Sequence, residues 1–270
     1  MSELLLDVRD LQVHFREPAT HPFTRHQSVK ALDGVSFQIS QGEVLSLVGE
    51  SGCGKTTVGR VLTRLQPVTS GSAVFAGRNI LAMSEQEFRP LRRNIQMIFQ
   101  DPFASLNPRL SIEQTLREPL MIHKLAANRR EARGLAADML DKVGLDATVL
   151  NRYPHEFSGG QRQRIGIARV MIVRPQLIIA DEAVSALDVS IQAQVLNLLK
   201  QLQRESGVAM LFISHDLAVV RHISDKIAVM HAGRIVESAP KATLFNQPEH
   251  EYTQRLLNAI PRIPGPQGVV

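Results

Sequence analysis

The sequence predicts an α/β fold in which a parallel sheet with crossover helices is joined to an antiparallel β portion near the N-terminus and to an inserted helical subdomain. Three patterns carry this reading. Short apolar runs at 44–48, 177–180, 209–213 and 227–230 alternate with helically spaced segments, as buried parallel strands and their crossovers do. Polar and apolar residues alternate over 4–15 (Leu6, Val8, Leu11, Val13, Phe15) and 35–39, the pattern of a half-exposed antiparallel sheet. Beyond residue 99 the spacing turns helical, and Ala132, Leu135, Ala136, Met139, Leu140 and Val143 form one face that stops at Gly144.

In chain order, residues 16–29 carry Pro18, Pro22, His21 and His26 without any period and read as a loop between the first two strands. The run 44–48 meets a glycine-rich turn at Gly49, after which Val58, Val61, Leu62 and Leu65 recur at helical spacing. A hairpin follows near 70–80 and a strand at 95–99. Helices are expected at 161–173, 190–204 and 216–223, and the tail 260–270, with Pro261, Pro264 and Pro266, reads as extended.

Composition narrows the function. The 270 residues include a single cysteine, which excludes a disulfide framework within the chain and any multi-cysteine metal site. The longest stretch without a charge, 65–77, contains Pro67, Gly71 and Gly77 and falls short of the roughly 20 apolar residues that a membrane span needs. Glu3, Asp7 and Asp10 stand where an export signal would carry positive charge, so none is expected. With 31 basic against 26 acidic residues the net charge is +5, and the arginine groups at 89–93 and 129–133 read as solvated helix faces rather than a nucleic-acid patch.

Gly49-Glu50-Ser51-Gly52-Cys53-Gly54-Lys55-Thr56 fills every fixed position of G-x-x-x-x-G-K-[ST], and it stands between a predicted strand and a predicted helix. Small residues let backbone N–H groups converge on phosphate oxygens at a helix N-terminus. Lys55 would add a point charge at the β/γ-phosphates, Thr56 would offer its hydroxyl to Mg²⁺, and Thr57 continues the loop. Such a loop needs a carboxylate on a neighbouring strand end. The run 177–180 ends in Asp181-Glu182, so Asp181 is read as the Mg²⁺ ligand and Glu182 as the residue that orients or polarises the attacking water.

Further motifs give a specific resemblance. Ser158-Gly159-Gly160-Gln161 after Phe157, Gln100 in Phe99-Gln100-Asp101, Ser185-Ala186-Leu187-Asp188, and His215 in Ile213-Ser214-His215-Asp216 stand in a fixed order. Together with the Lys55 loop they resemble ATP-binding-cassette (ABC) ATPases from about residue 4 to 233. Two positions depart from that family's pattern: Phe157 replaces the usual Leu, and Ala183 follows the catalytic acid where Pro is common. The insert before residue 29 and the segment 248–257 resemble ATP-binding subunits of oligopeptide/dipeptide importers, a branch that includes nickel and glutathione systems.

The resemblance implies a P-loop NTPase (RecA-like) core over 1–259, a helical subdomain at about 103–169, and ATP and Mg²⁺ as cofactors. Glu182 and His215 would be catalytic, and Gln100 would reach Mg²⁺ and sense the nucleotide. Ser158, Gly159, Gly160, Gln161 and Asp188 would act in trans on the nucleotide of a second ATP-binding subunit, in a heterodimer. Phe15 is expected to stack on adenine, with Phe23 as competitor. Two transmembrane permease subunits, and indirectly a substrate-binding protein, would be the partners, on the cytoplasmic face of a bacterial cell membrane. Peptide is the first choice of cargo, with nickel or glutathione as alternatives. No iron–sulfur cluster is expected, because the C-terminal segment lacks the cysteines that some members carry there, and no nucleic acid is expected. A soluble ABC ATPase acting on DNA or ribosomes is the rival class, disfavoured by the lack of cysteine ligands and sustained heptads between Lys55 and Ser158. Cys53, beside Lys55 at a helix N-terminus, is expected to be a reactive, nucleotide-shielded thiol.

Overall fold

A computed structural model describes residues 3–16, 28–101 and 105–259. Phe23 and the tail 260–270 lie outside the described residues. A four-stranded antiparallel sheet has the order β2-β1-β4-β5, from β1 (Leu4–Arg16), β2 (Ser28–Ser40), β4 (Ser70–Phe75) and β5 (Arg78–Asn79). A six-stranded sheet has the order β10-β9-β3-β8-β7-β6. Its strands are β3 (Val44–Val48), β6 (Ile95–Ile98), β7 (Leu177–Asp181), β8 (Ala209–Ser214), β9 (Lys226–His231) and β10 (Arg234–Pro240). The β3, β6, β7, β8 and β9 strands pair in parallel, and β10 closes the edge antiparallel to β9.

The twofold side-chain alternation of these strands divides the core. Val44, Val48, Ile178, Ala180, Met210 and Phe212 face the helical side. Leu45, Leu47, Leu177, Ile179, Leu211 and Ile213 face the antiparallel sheet and the helix Lys55–Leu62. Burial on both faces explains why these strands appear in the sequence as largely apolar runs, and the one polar residue in β3, the buried Ser46, is hydrogen-bonded to Ser224.

Two expectations are corrected. The loop at 16–29 is narrower than its composition suggests, because Phe15↔Val29 and Arg16↔Ser28 still pair in the β1–β2 ladder. Cross-strand pairing here overrides the weak local signal. The arginines at 129–133 are not merely solvated: Arg129 and Arg133, with Arg117, converge on the nearly buried carboxylate of Glu113 at 2.7–3.2 Å. This cluster joins the helices Ile112–Ile122 and Arg129–Lys142, which pack near a third, Gly159–Met171.

Candidate active site

Parallel register places the chemistry on one rim. Val48 pairs with Ser214, Asp181 with Ile213, and Ile98 with Ala180, so the chain leaves β3, β6, β7 and β8 on the same edge of the sheet. Gly49, Gln100, Glu182 and His215 follow these strand ends, the edge where open α/β sheets bind ligands.

The loop after β3 is shaped by close backbone approach. A Cβ on Gly49 would sit 2.1 Å from the Met230 carbonyl oxygen, and one on Gly54 would sit 2.3 Å from that of Ala31. Gly54, at φ 106°, opens the helix Lys55–Leu62. Lys55 is buried, and its Nζ donates to the Gly49 and Glu50 carbonyls at 2.8 and 2.7 Å, so its charge is solvated by the loop it belongs to. A cavity of about 340 Å³ opens beside this loop, lined by Phe15, Ala31, Ser51, Gly52, Gly54, Lys55, Thr56, Thr57, Gln100 and Glu182. The expected Gly49, Glu50 and Cys53 belong to the loop but not to this wall, and Ala31 is a wall residue that the sequence did not mark.

The acids are held in distinct ways. Thr56 Oγ1 donates to Asp181 Oδ1 at 2.9 Å, and burial raises the Asp181 pKa, with the neighbouring Glu182 charge adding to the effect against the Thr56 hydrogen bond. A buried carboxyl and a hydroxyl side by side form an oxygen donor pair suited to Mg²⁺. Glu182 has φ 46°, a left-handed conformation rare for a residue with a side chain, and its N–H donates to the Ile213 carbonyl at 2.9 Å. Its carboxylate oxygens are divided: Gln100 Nε2 donates to Oε2 at 2.8 Å, and His215 Nδ1 lies 3.0 Å from Oε1.

The second motif sits elsewhere. Ser158 caps the helix Gly159–Met171 in a reciprocal box with Gln161: Gln161 N donates to Ser158 Oγ at 3.4 Å, and Ser158 N donates to Gln161 Oε1 at 3.1 Å. A Cβ on Gly160 would meet Ile191 Cγ2 at 2.4 Å, so this glycine allows close packing against the helix Val189–Ser206, whose N-cap is Asp188. Phe157 is buried with Arg152 over its ring at 4.7 Å, a packing position, and Ala183 receives a hydrogen bond on its carbonyl from Gln163 at 2.6 Å. Cys53 departs from expectation. The residue is 8% exposed and its thiol lies 3.7 Å from Lys55 Nζ, because the loop folds the side chain inward rather than toward solvent.

The model of the family described as "ABC transporter" matches residues 32–185, which include the Lys55 loop, Gln100, Ser158 and the Asp181-Glu182 pair. This chain belongs to the ABC transporter ATP-binding family. As an ABC ATPase it couples ATP hydrolysis to transport. A second model, "Oligopeptide/dipeptide transporter, C-terminal region", matches residues 236–269. The oligopeptide transport ATP-binding protein OppF of Bacillus subtilis is 52% identical over 98% of this chain and 85% of its own length. The glutathione import ATP-binding protein GsiA of Pectobacterium atrosepticum is 50% identical over 96% of this chain and 42% of its own. Among solved structures, a dimeric ATP-binding cassette in a post-hydrolysis state with ADP and Pi superposes with a TM-score of 0.78 at 26% identity, covering 88% of this chain and 99% of that one. No helix among the described residues of this ABC ATPase is long and apolar enough to cross a membrane.

Proposed function

We propose that this ATPase powers import of di- or oligopeptides from the cytoplasmic face of a bacterial cell membrane, as one of two related ATP-binding subunits docked on two permeases that a substrate-binding protein supplies. The observation that carries the catalytic part is the shared carboxylate of Glu182, engaged by Gln100 on one oxygen and His215 on the other, beside a Lys55 loop and a Thr56–Asp181 pair. The peptide cargo rests on the match to the oligopeptide/dipeptide C-terminal region and on the OppF relative. Glutathione is the second reading, on the strength of the GsiA relative.

In this reading the unit spans residues 1–259, with its helical subdomain at about 103–169. Ser51, Gly52, Gly54 and Thr57 cradle the phosphates, and Lys55 Nζ moves from its loop carbonyls to phosphate oxygens. Thr56, Asp181 and Gln100 would hold Mg²⁺, which when bound would neutralise phosphate charge. Phe15 forms the adenine side of the cavity. Glu182 Oε1 orients the attacking water and receives its proton, and His215 steadies that carboxylate. Ser158, Gly159, Gly160, Gln161 and Asp188 complete the site of the partner subunit, so that ATP joins two chains.

A groove of about 430 Å³ beside Phe99, with exposed Leu65 and Ile122 at its rim and Arg89, Arg92 and His123 in its wall, is the permease dock we assign. Its occupant would press on the strand end that delivers Gln100 to Glu182. The test is the ATPase rate per subunit against concentration, alone and with the partner subunit and permeases. Low activity of the isolated chain that rises on assembly is the expected result; full, concentration-independent activity of a strict monomer contradicts the two-chain site.

A further inference from the structure

The phosphate loop is held from outside by the C-terminal segment. The Glu50 N–H donates to the Tyr252 hydroxyl at 3.2 Å, a contact between residues 202 apart in sequence. The Glu50 carbonyl is taken by Lys55, so both backbone groups of this loop residue are bound within the protein. Glu50 is absent from the wall of the nucleotide cavity, which fits an N–H that faces away from it.

Tyr252 is itself firmly placed. It is 5% exposed, on the helix Glu251–Asn258, and its ring packs on His231 at 4.1 Å between centroids. His231 ends β9, the strand whose Met230 carbonyl leaves no room for a Cβ on Gly49. Tyr252 N–H donates to His250 Nδ1 at 3.1 Å, and the His250 and Glu249 N–H groups each donate to the Glu237 carboxylate of β10 at 3.0 Å. Burial raises the pKa of the Tyr252 phenol, keeping it a neutral hydroxyl. The C-terminal helix therefore reaches the loop through one hydroxyl, while β9 braces the loop's first glycine.

We propose that Tyr252 is a positioning residue for the phosphate loop, which holds Glu50 so that the loop's remaining N–H groups stay aimed at phosphate, and which makes the helix Glu251–Asn258 responsive to nucleotide. This rests on the reading that the Lys55 loop binds Mg-ATP. Coupling is reciprocal: if the helix favours the phosphate-accepting loop, a bound nucleotide stabilises the helix.

The test compares the full chain with Tyr252→Phe, which keeps the ring on His231 and removes only the oxygen. Without nucleotide, amide hydrogen exchange at Glu50 should be about three- to tenfold faster in the variant, the range expected for one lost hydrogen bond. Affinity for a non-hydrolysable Mg-ATP analogue should fall by a similar factor, with the melting temperature lowered by no more than about 2–4 °C. In the assembled transporter the variant should raise KM for ATP and leave kcat alone, because a cradle formed before chemistry is lost equally from ground and transition states. The analogue should slow exchange over 251–258 in the wild type and not in the variant. His231→Ala, which removes the exposed ring partner and keeps the hydroxyl, should give a smaller shift in the same direction. Unchanged Glu50 exchange together with unchanged analogue affinity in Tyr252→Phe would overturn the proposal. Failure of the wild type to bind the analogue would instead overturn the reading of the loop, since the nucleotide-free exchange measurement does not depend on it.

Discussion

Gln100 Nε2 donates to Glu182 Oε2 at 2.8 Å, joining the end of β6 to the end of β7 across 82 residues. The bond uses the amide nitrogen of Gln100 and not its oxygen. Residue 100 lies just beyond the end of β6, and its amide meets the same carboxylate that faces His215.

The Glu113 cluster predicts a pH-dependent contribution to stability. The Arg129 hydrogen bond foremost, with further help from Arg117, holds the Glu113 carboxyl below its ordinary value of 4.5, against the opposing effect of burial. A lowered folded pKa means that the stabilisation is present above the unfolded value and is lost as pH falls through the folded one. The Arg129 and Arg133 side chains are 71% and 46% exposed, so solvent screening argues for about 1 kcal/mol rather than the 3–5 of a buried pair. Glu113→Gln should lower the melting temperature by about 2–4 °C at pH 7.5. Calorimetry should show that deficit vanish in acid, once the wild-type carboxyl is also neutral.

Two glycines of the same loop should respond differently to alanine. Gly52 has φ 81° and nothing within 4 Å of an added Cβ, so Gly52→Ala meets conformational strain alone, about 1–2 kcal/mol. Gly54 has φ 106° and would place a Cβ 2.3 Å from the Ala31 carbonyl oxygen, which is β2 backbone and cannot swing aside. Nucleotide titration should find a loss of no more than about five- to thirtyfold for Gly52→Ala, that strain converted, and a loss beyond about thirtyfold for Gly54→Ala, which adds the clash.

How much of this was legible in the sequence depended on separation along the chain. β3, β7, β8 and β9 lie within a residue of the apolar runs, because strands buried on both faces are apolar nearly throughout, Ser46 of β3 excepted. The Lys55 loop and the Asp181-Glu182 pair were visible for a similar reason: a strand end and a helix start fix their spacing locally. Ala31, Glu113 with its arginines, and Tyr252 against Glu50 were not visible. Alanine in a strand carries no chemical mark, and ion pairs or hydrogen bonds between remote segments exist only after the sheet has assembled. The inward turn of Cys53 belongs with these, since it depends on how the loop lies beside Lys55 and Gly49.

That turn changes what is expected of the thiol. With 8% exposure, Cys53 should react with a bulky maleimide only when the loop opens, so labelling of the nucleotide-free protein followed by intact mass should be slow. Mild denaturant, by raising the open population, should accelerate it. Labelling as fast as that of a small free thiol would show that the loop lies open.

The central claim, that Glu182 is the catalytic carboxylate of an ATPase whose loop binds through Lys55, is tested most directly by measuring nucleotide affinity and turnover side by side in Glu182→Gln and Lys55→Ala. Glu182→Gln keeps an acceptor for Gln100 and loses the base; it should bind Mg-ATP with near wild-type affinity, lose hydrolysis by at least about a hundredfold, and accumulate as a closed two-subunit complex. Lys55→Ala should instead weaken binding itself. Near-normal turnover by Glu182→Gln in the assembled transporter would contradict the account.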